Sequence, residues 1–83
     1  MTKHDVNVRA EATLHPGDSR DIHGTAEVKV ANNASAQGKV RVKCPNVPSV
    51  DYDVAAHGSR NIQIPVGDSR FTNAGATDLA LSW

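Results

Sequence analysis

The chain has 83 residues, nine basic against nine acidic, with only Tyr52, Phe71 and Trp83 aromatic. A chain this short supports one domain over residues 1–83 and buries only about 60% of the surface its unfolded form exposes, which leaves a thin core and little room for a deep catalytic cleft. Its charges are scattered and cancel, which argues against a nucleic-acid or anionic-membrane partner, and no apolar run approaches the ~20 residues of a membrane-spanning helix.

Apolar residues recur with a period of two, the spacing of half-buried strands. Val6, Val8, Ala10, Ala12 and Leu14 predict a strand over residues 5–14, and Ile22, Gly24, Ala26, Val28 and Val30 a second over 21–31. A register placing Val8 opposite Val28 and Ala10 opposite Ala26 keeps both series on one face, so an antiparallel hairpin is predicted, turning at Pro16-Gly17-Asp18-Ser19. Residues 32–38 read as a loop and 39–43 as a third strand, stopped by Cys44-Pro45-Asn46-Val47-Pro48 because proline cannot continue a ladder. A fourth strand covers Val50 to Val54, and His57-Gly58-Ser59 turns into a fifth over 60–66. Pro65 requires that fifth strand to lie at an edge or to bulge. Gly67-Asp68-Ser69-Arg70 reads as a turn, Phe71-Thr72 as a very short strand, Asn73-Ala74-Gly75 as another turn, and Thr77 to Trp83 as the last strand. No segment carries the 3.6-residue period of a helix.

Short strands punctuated by turns at this spacing indicate an all-β antiparallel sandwich of six to seven strands. The stretches Val28-Lys29-Val30-Ala31-Asn32-Asn33, Gly38-Lys39-Val40-Arg41-Val42 and Ala56-His57-Gly58-Ser59-Arg60-Asn61-Ile62-Gln63-Ile64 resemble bacterial immunoglobulin-like modules of the adhesin and CARDB type. That resemblance implies consecutive strands of an immunoglobulin-like sandwich. The 17 residues after Val66 imply a shortened closing hairpin. The chain departs from antibody-type domains in having neither paired cysteines nor a tryptophan on the third strand.

Three constellations bear on chemistry. In the predicted hairpin His15, Asp21 and His23 gather at one end with Asp18, although without the short fixed ligand spacing of a zinc ribbon or a His-Glu-x-x-His helix. Ser19 or Ser69 could be grouped with His15, His23 or His57, but a nucleophilic serine also needs an orienting acid and an oxyanion hole. The Gly-Asp-Ser strings at 17–19 and 67–69 are similar to the GDSL esterase signature, yet arginine follows where leucine belongs, so this match is set aside. Cys44 continues the inward series of Val40 and Val42, which predicts a buried, inert thiol. No glycine-rich loop precedes a helix, so no nucleotide fingerprint is present. The sequence thus assigns no catalytic, cofactor-binding or metal-ligating residue, and no cofactor.

The leading expectation is a non-catalytic protein-interaction or surface module of bacterial origin, contacting a protein partner through an edge strand or through the loops carrying Asn32-Asn33-Ala34-Ser35, Pro45-Asn46-Val47-Pro48 and Gly67-Asp68-Ser69-Arg70. The alternatives are a small metal-binding protein using His15, His23 and nearby carboxylates, and a small hydrolase. The chain begins without the apolar segment of a signal peptide, as a cytoplasmic protein or a mature secreted domain would. Oligomeric state is not readable from the sequence.

Overall fold

The computed structural model describes residues 10–64 and 68–83. Over these residues the chain is all-β, with strands β1 (Glu11–Leu14), β2 (Ser19–His23), β3 (Glu27–Asn32), β4 (Gly38–Lys43), β5 (Val50–Val54), β6 (Gly58–Gln63), β7 (Asp68–Asn73) and β8 (Leu79–Ser82). They form two four-stranded antiparallel sheets, ordered β1-β8-β3-β6 and β2-β7-β4-β5. The inward residues of both sheets make one core: Leu14, Val28, Val30, Ile62, Leu79 and Leu81 from the first, and Ile22, Val40, Val42, Val54 and Phe71 from the second. The alternation along β4, with Gly38, Val40 and Val42 buried and Lys39, Arg41 and Lys43 exposed, is the period-two pattern read from the sequence.

The antiparallel sandwich is as expected; the number and order of its strands are not. Eight strands are present among the described residues instead of six or seven, wound as the double Greek key of a jelly roll. An immunoglobulin sandwich would pair its first two strands in one sheet. Here β1 pairs with β8, and β2 pairs with β7 in the opposite sheet.

The predicted hairpin between residues 5–14 and 21–31 is therefore absent over its described part. Ala12 lies opposite Leu81, not Gly24, and Val6 and Val8 fall outside the described residues. The cause sits at Gly24, whose φ of 73° is a left-handed conformation that an extended strand does not use. The apolar run from Ile22 to Val30 breaks there, and its two parts enter different sheets as β2 and β3. The second correction is β7. Its inward positions are Ser69, Phe71 and Asn73, so two of three are polar, and the sequence alternation is too weak to reveal six strand residues. At the other extreme β5 spans Val50 to Val54 as read, and β6 is an edge strand of its sheet, although Pro65 itself lies outside the described residues.

Candidate functional site

A jelly roll has two ends. The connections 15–18, 33–37, 55–57 and 74–78 lie at one, and 24–26 and 44–49 at the other. The second end carries an open groove of about 350 Å³ lined by Asp21 and His23 of β2, Asp68, Ser69 and Arg70 of β7, Lys43 at the end of β4, and Cys44 and Pro45 after it. These positions converge because β7 lies between β2 and β4, in a register that sets Asp21 and Lys43 on either side of Arg70 and His23 opposite Asp68.

The charges in the groove are already matched. Arg70 donates from Nε and Nη2 to the two carboxylate oxygens of Asp21, at 2.7 and 3.2 Å, and this fork holds the Asp21 carboxyl below its ordinary range. His23 Nδ1 lies 3.0 Å from Asp68 Oδ1. Lys43 Nζ turns into the following loop, donating to the Cys44 carbonyl at 2.8 Å and the Val47 carbonyl at 2.6 Å. Beneath the charged side chains lie two inward groups, the Cys44 thiol and the Ser69 hydroxyl. Ser69 Oγ is buried without a hydrogen-bond partner.

The outer face of this sheet continues in the same style. Arg41 donates from Nε and Nη2 to the carboxylate of Asp51 at 2.8 and 3.2 Å, and Lys39 lies opposite Asp53. In the basic row Lys39, Arg41 and Lys43, Arg41 is paired with a carboxylate, while the Lys43 ammonium is held by the two loop carbonyls.

Among the described residues the outermost strands are β1 and β6 of one sheet, β2 and β5 of the other. Two arginines lie at these edges. Arg60 of β6 crosses to β5, donating from Nη1 to the Asp53 carbonyl at 2.9 Å while its guanidinium lies 5.0 Å from the Tyr52 ring centroid. A backbone acceptor of β5 is thereby occupied. Arg20 of β2 stacks over Trp83 at 5.4 Å without a backbone bond of this kind. Asn73 N–H donates to the Asp18 carbonyl, and the period-two alternation from that bond points Arg20 and Ile22 toward β7. The N–H and C=O groups of Asp21 and His23 then face away from the sheet, along the rim of the groove.

The residues grouped from the sequence are dispersed. His15 and His23 lie at opposite ends of β2. His15 Nδ1 contacts Asp78 Oδ1 at 2.9 Å, its backbone N–H donates to Asp18, and the Asp78 carboxylate raises its pKa above the usual imidazole value. His57 occupies a turn with φ 55° and His4 falls outside the described residues. Among the described residues no three His, Cys, Asp or Glu side chains converge as metal ligands. The serine and histidine combinations are likewise not assembled, since Ser19 Oγ bonds Thr72 Oγ1 and Ser69 Oγ has no partner. Cys44 is a free, buried thiol, as expected. Of the three loops named as a partner surface, 44–49 and the start of β7 share the groove end, whereas Asn32-Asn33-Ala34-Ser35 lies at the opposite end. The groove itself had no signal in the sequence, because it depends on the pairing of β7 between β2 and β4.

Neither a protein-family model nor a curated protein sequence matches the chain. Among solved structures it is similar to the capsular polysaccharide assembling protein CapF from Staphylococcus aureus, with a TM-score of 0.56 and 24% identity over 90% of this chain. A structure of CapF with the inhibitor 3-isopropenyl-tropolone gives the same TM-score and identity. The chain spans 22–23% of those CapF chains, so the likeness is one of fold over about a fifth of their length.

Proposed function

We propose that the chain is a non-catalytic recognition module that accepts an extended segment of a protein partner along the edge of β2. The observation supporting this reading is the pairing of an outward-facing backbone edge, at Asp21 and His23, with the groove beside it. An added strand gains affinity from main-chain hydrogen bonds and selectivity from the places its alternate side chains reach. The carboxylates at this edge are already held by Arg70 and His23, so recognition rests on the backbone and on uncharged side chains entering the groove above Cys44 and Pro45. The edge of β5, by contrast, has Arg60 bonded across it. A bacterial origin is consistent with the bacterial source of the CapF structures.

The test is an NMR titration of the full chain with a library of extended, uncharged peptides. Shifts should concentrate at residues 19–23 and 68–70. Asp21→Pro, which removes the outward N–H at the edge, should abolish binding, and Asp21→Asn, which keeps it, should retain most of it. A footprint at the His15 end, or equal binding by both variants, refutes the reading.

A further inference from the structure

Every ladder in the sandwich joins a strand of residues 11–43 to a strand of residues 50–82. β1 pairs with β8, β2 with β7, β3 with β6 and β8, and β4 with β5 and β7. Neither half contains a ladder of its own among the described residues. The halves also correspond. Replacing each strand of the order β1-β8-β3-β6 by the one four places away gives β5-β4-β7-β2, which is the other sheet. Ser19-Arg20-Asp21-Ile22 in β2 is echoed by Ser59-Arg60-Asn61-Ile62 in β6, with both isoleucines buried and both arginines over aromatic rings. β3 and β7 each end on a buried asparagine.

Residues 44–49 connect the halves. This connection contains Pro45 and Pro48, which favour extended backbone in the residues before them. Between them Asn46 is held at φ 65°, a left-handed conformation uncommon outside glycine. The closed loop is fastened by Lys43 Nζ, which donates to the Val47 carbonyl, and by the Val47 N–H, which donates to the Cys44 carbonyl at 3.4 Å. Val47 and Val50, 45% and 48% exposed, are the large hydrophobic side chains left in solvent among the described residues, and both belong to this connection or the strand it enters.

We propose that this chain exchanges halves with a second copy of itself, forming a domain-swapped dimer in which residues 44–49 open into an extended bridge. Each lobe then consists of residues 11–43 of one chain and 50–82 of the other, and every ladder is reproduced between chains. The closed and swapped forms therefore differ in the bridge alone. Opening releases the left-handed Asn46 and loses the bonds of Lys43 Nζ to the Val47 carbonyl and of the Val47 N–H to the Cys44 carbonyl. It also brings two bridges together about the dimer axis, where the exposed Val47 and Val50 side chains cover one another. Tethering favours the closed form by an effective concentration in the millimolar range for a short linker, so exchange belongs to concentrated or freshly refolded protein.

The experiment refolds the full chain from urea at about 10 μM, far below that effective concentration, and at about 1 mM, comparable with it, and measures mass by light scattering after size exclusion. A dimer fraction that rises with refolding concentration and decays slowly on dilution is expected. In a dimer refolded from mixed differently isotope-labelled chains, NOEs between Val42 and Val50, opposite each other in the closed form, should appear between chains. Asn46→Pro, which cannot take positive φ, should raise the dimer fraction about tenfold or more, and Asn46→Gly should lower it. If Asn46→Pro fails to fold, the wild-type series and Asn46→Gly decide. Monomer at both concentrations, or a dimer whose Val42–Val50 contacts stay within one chain, overturns the proposal.

Discussion

Asn32 and Asn73 perform the same task at the ends of β3 and β7. Each donates from Nδ2 to the carbonyl four residues ahead, Ala36 at 2.8 Å and Thr77 at 2.7 Å, and accepts at Oδ1 from the N–H two residues ahead, Ala34 and Gly75, both at 3.0 Å. Each also reaches across the fold, to the Val54 carbonyl at 3.1 Å and the Leu14 carbonyl at 2.8 Å. Both side chains are buried, so replacing either by alanine strands several backbone groups without water. We expect Asn73→Ala and Asn32→Ala each to cost about 2–3 kcal/mol in urea unfolding. A change below about 0.5 kcal/mol would mean that water or a rearranged loop takes over these bonds.

Ser69 gives the opposite expectation. Its Oγ is buried at the groove and has no partner, so the hydroxyl's desolvation is uncompensated. Ser69→Ala removes the unsatisfied group with little loss of volume and should stabilise the chain by about 0.5–1 kcal/mol, read as a raised urea midpoint at constant slope. Destabilisation would reveal an acceptor or a bound molecule at this hydroxyl.

The difference between these polar residues explains what the sequence disclosed. Strands β4, β5 and β8 were legible because Val40 and Val42, Val54, and Leu79 and Leu81 occupy their inward positions. β7 was not, because Ser69 and Asn73 take core-facing places that alternation assigns to apolar residues. Pairing was a different matter. Alternation records which side chains face the core and not which strand lies alongside, so Ala12 fits equally well opposite Gly24 or opposite Leu81, its actual partner. The left-handed backbone at Gly24, which alternation does not record, marks where the run breaks and crosses to the other sheet. The groove depends on that pairing and was illegible for the same reason, whereas the inward thiol of Cys44 depends only on alternation and was read correctly.

Gly75 lies where the β7–β8 loop passes the start of β4. A Cβ built there meets the Lys39 backbone nitrogen at 2.8 Å, closer than side-chain carbons approach, and the obstacle is backbone that cannot rotate away. The same loop passes its Ala74 N–H to the Lys39 carbonyl at 3.0 Å, so moving it apart breaks a bond. Gly75→Ala should cost about 1–3 kcal/mol and expose the Ala74 and Lys39 amides to faster hydrogen exchange. Unchanged exchange at both would show that the loop yields freely.

The dependence on pH has two arms of opposite sign. The Arg70 and Arg41 guanidiniums hold Asp21 and Asp51 below their ordinary value of 3.8, so the stability these pairs contribute is complete above that pH and is lost as pH falls through the depressed folded-state values. Asp78 raises His15 above its ordinary 6.5, so that contribution is complete below 6.5 and is lost as pH climbs through the raised value. All three groups are exposed, and salt should weaken both arms. The direct measurement is an NMR titration of the His15 ring, with a midpoint above 6.5 in the native chain and a return toward 6.5 in Asp78→Asn. A native midpoint at or below 6.5 would mean that the His15–Asp78 contact does not persist in solution, and with it would go the tie it makes between the 15–18 and 74–78 loops.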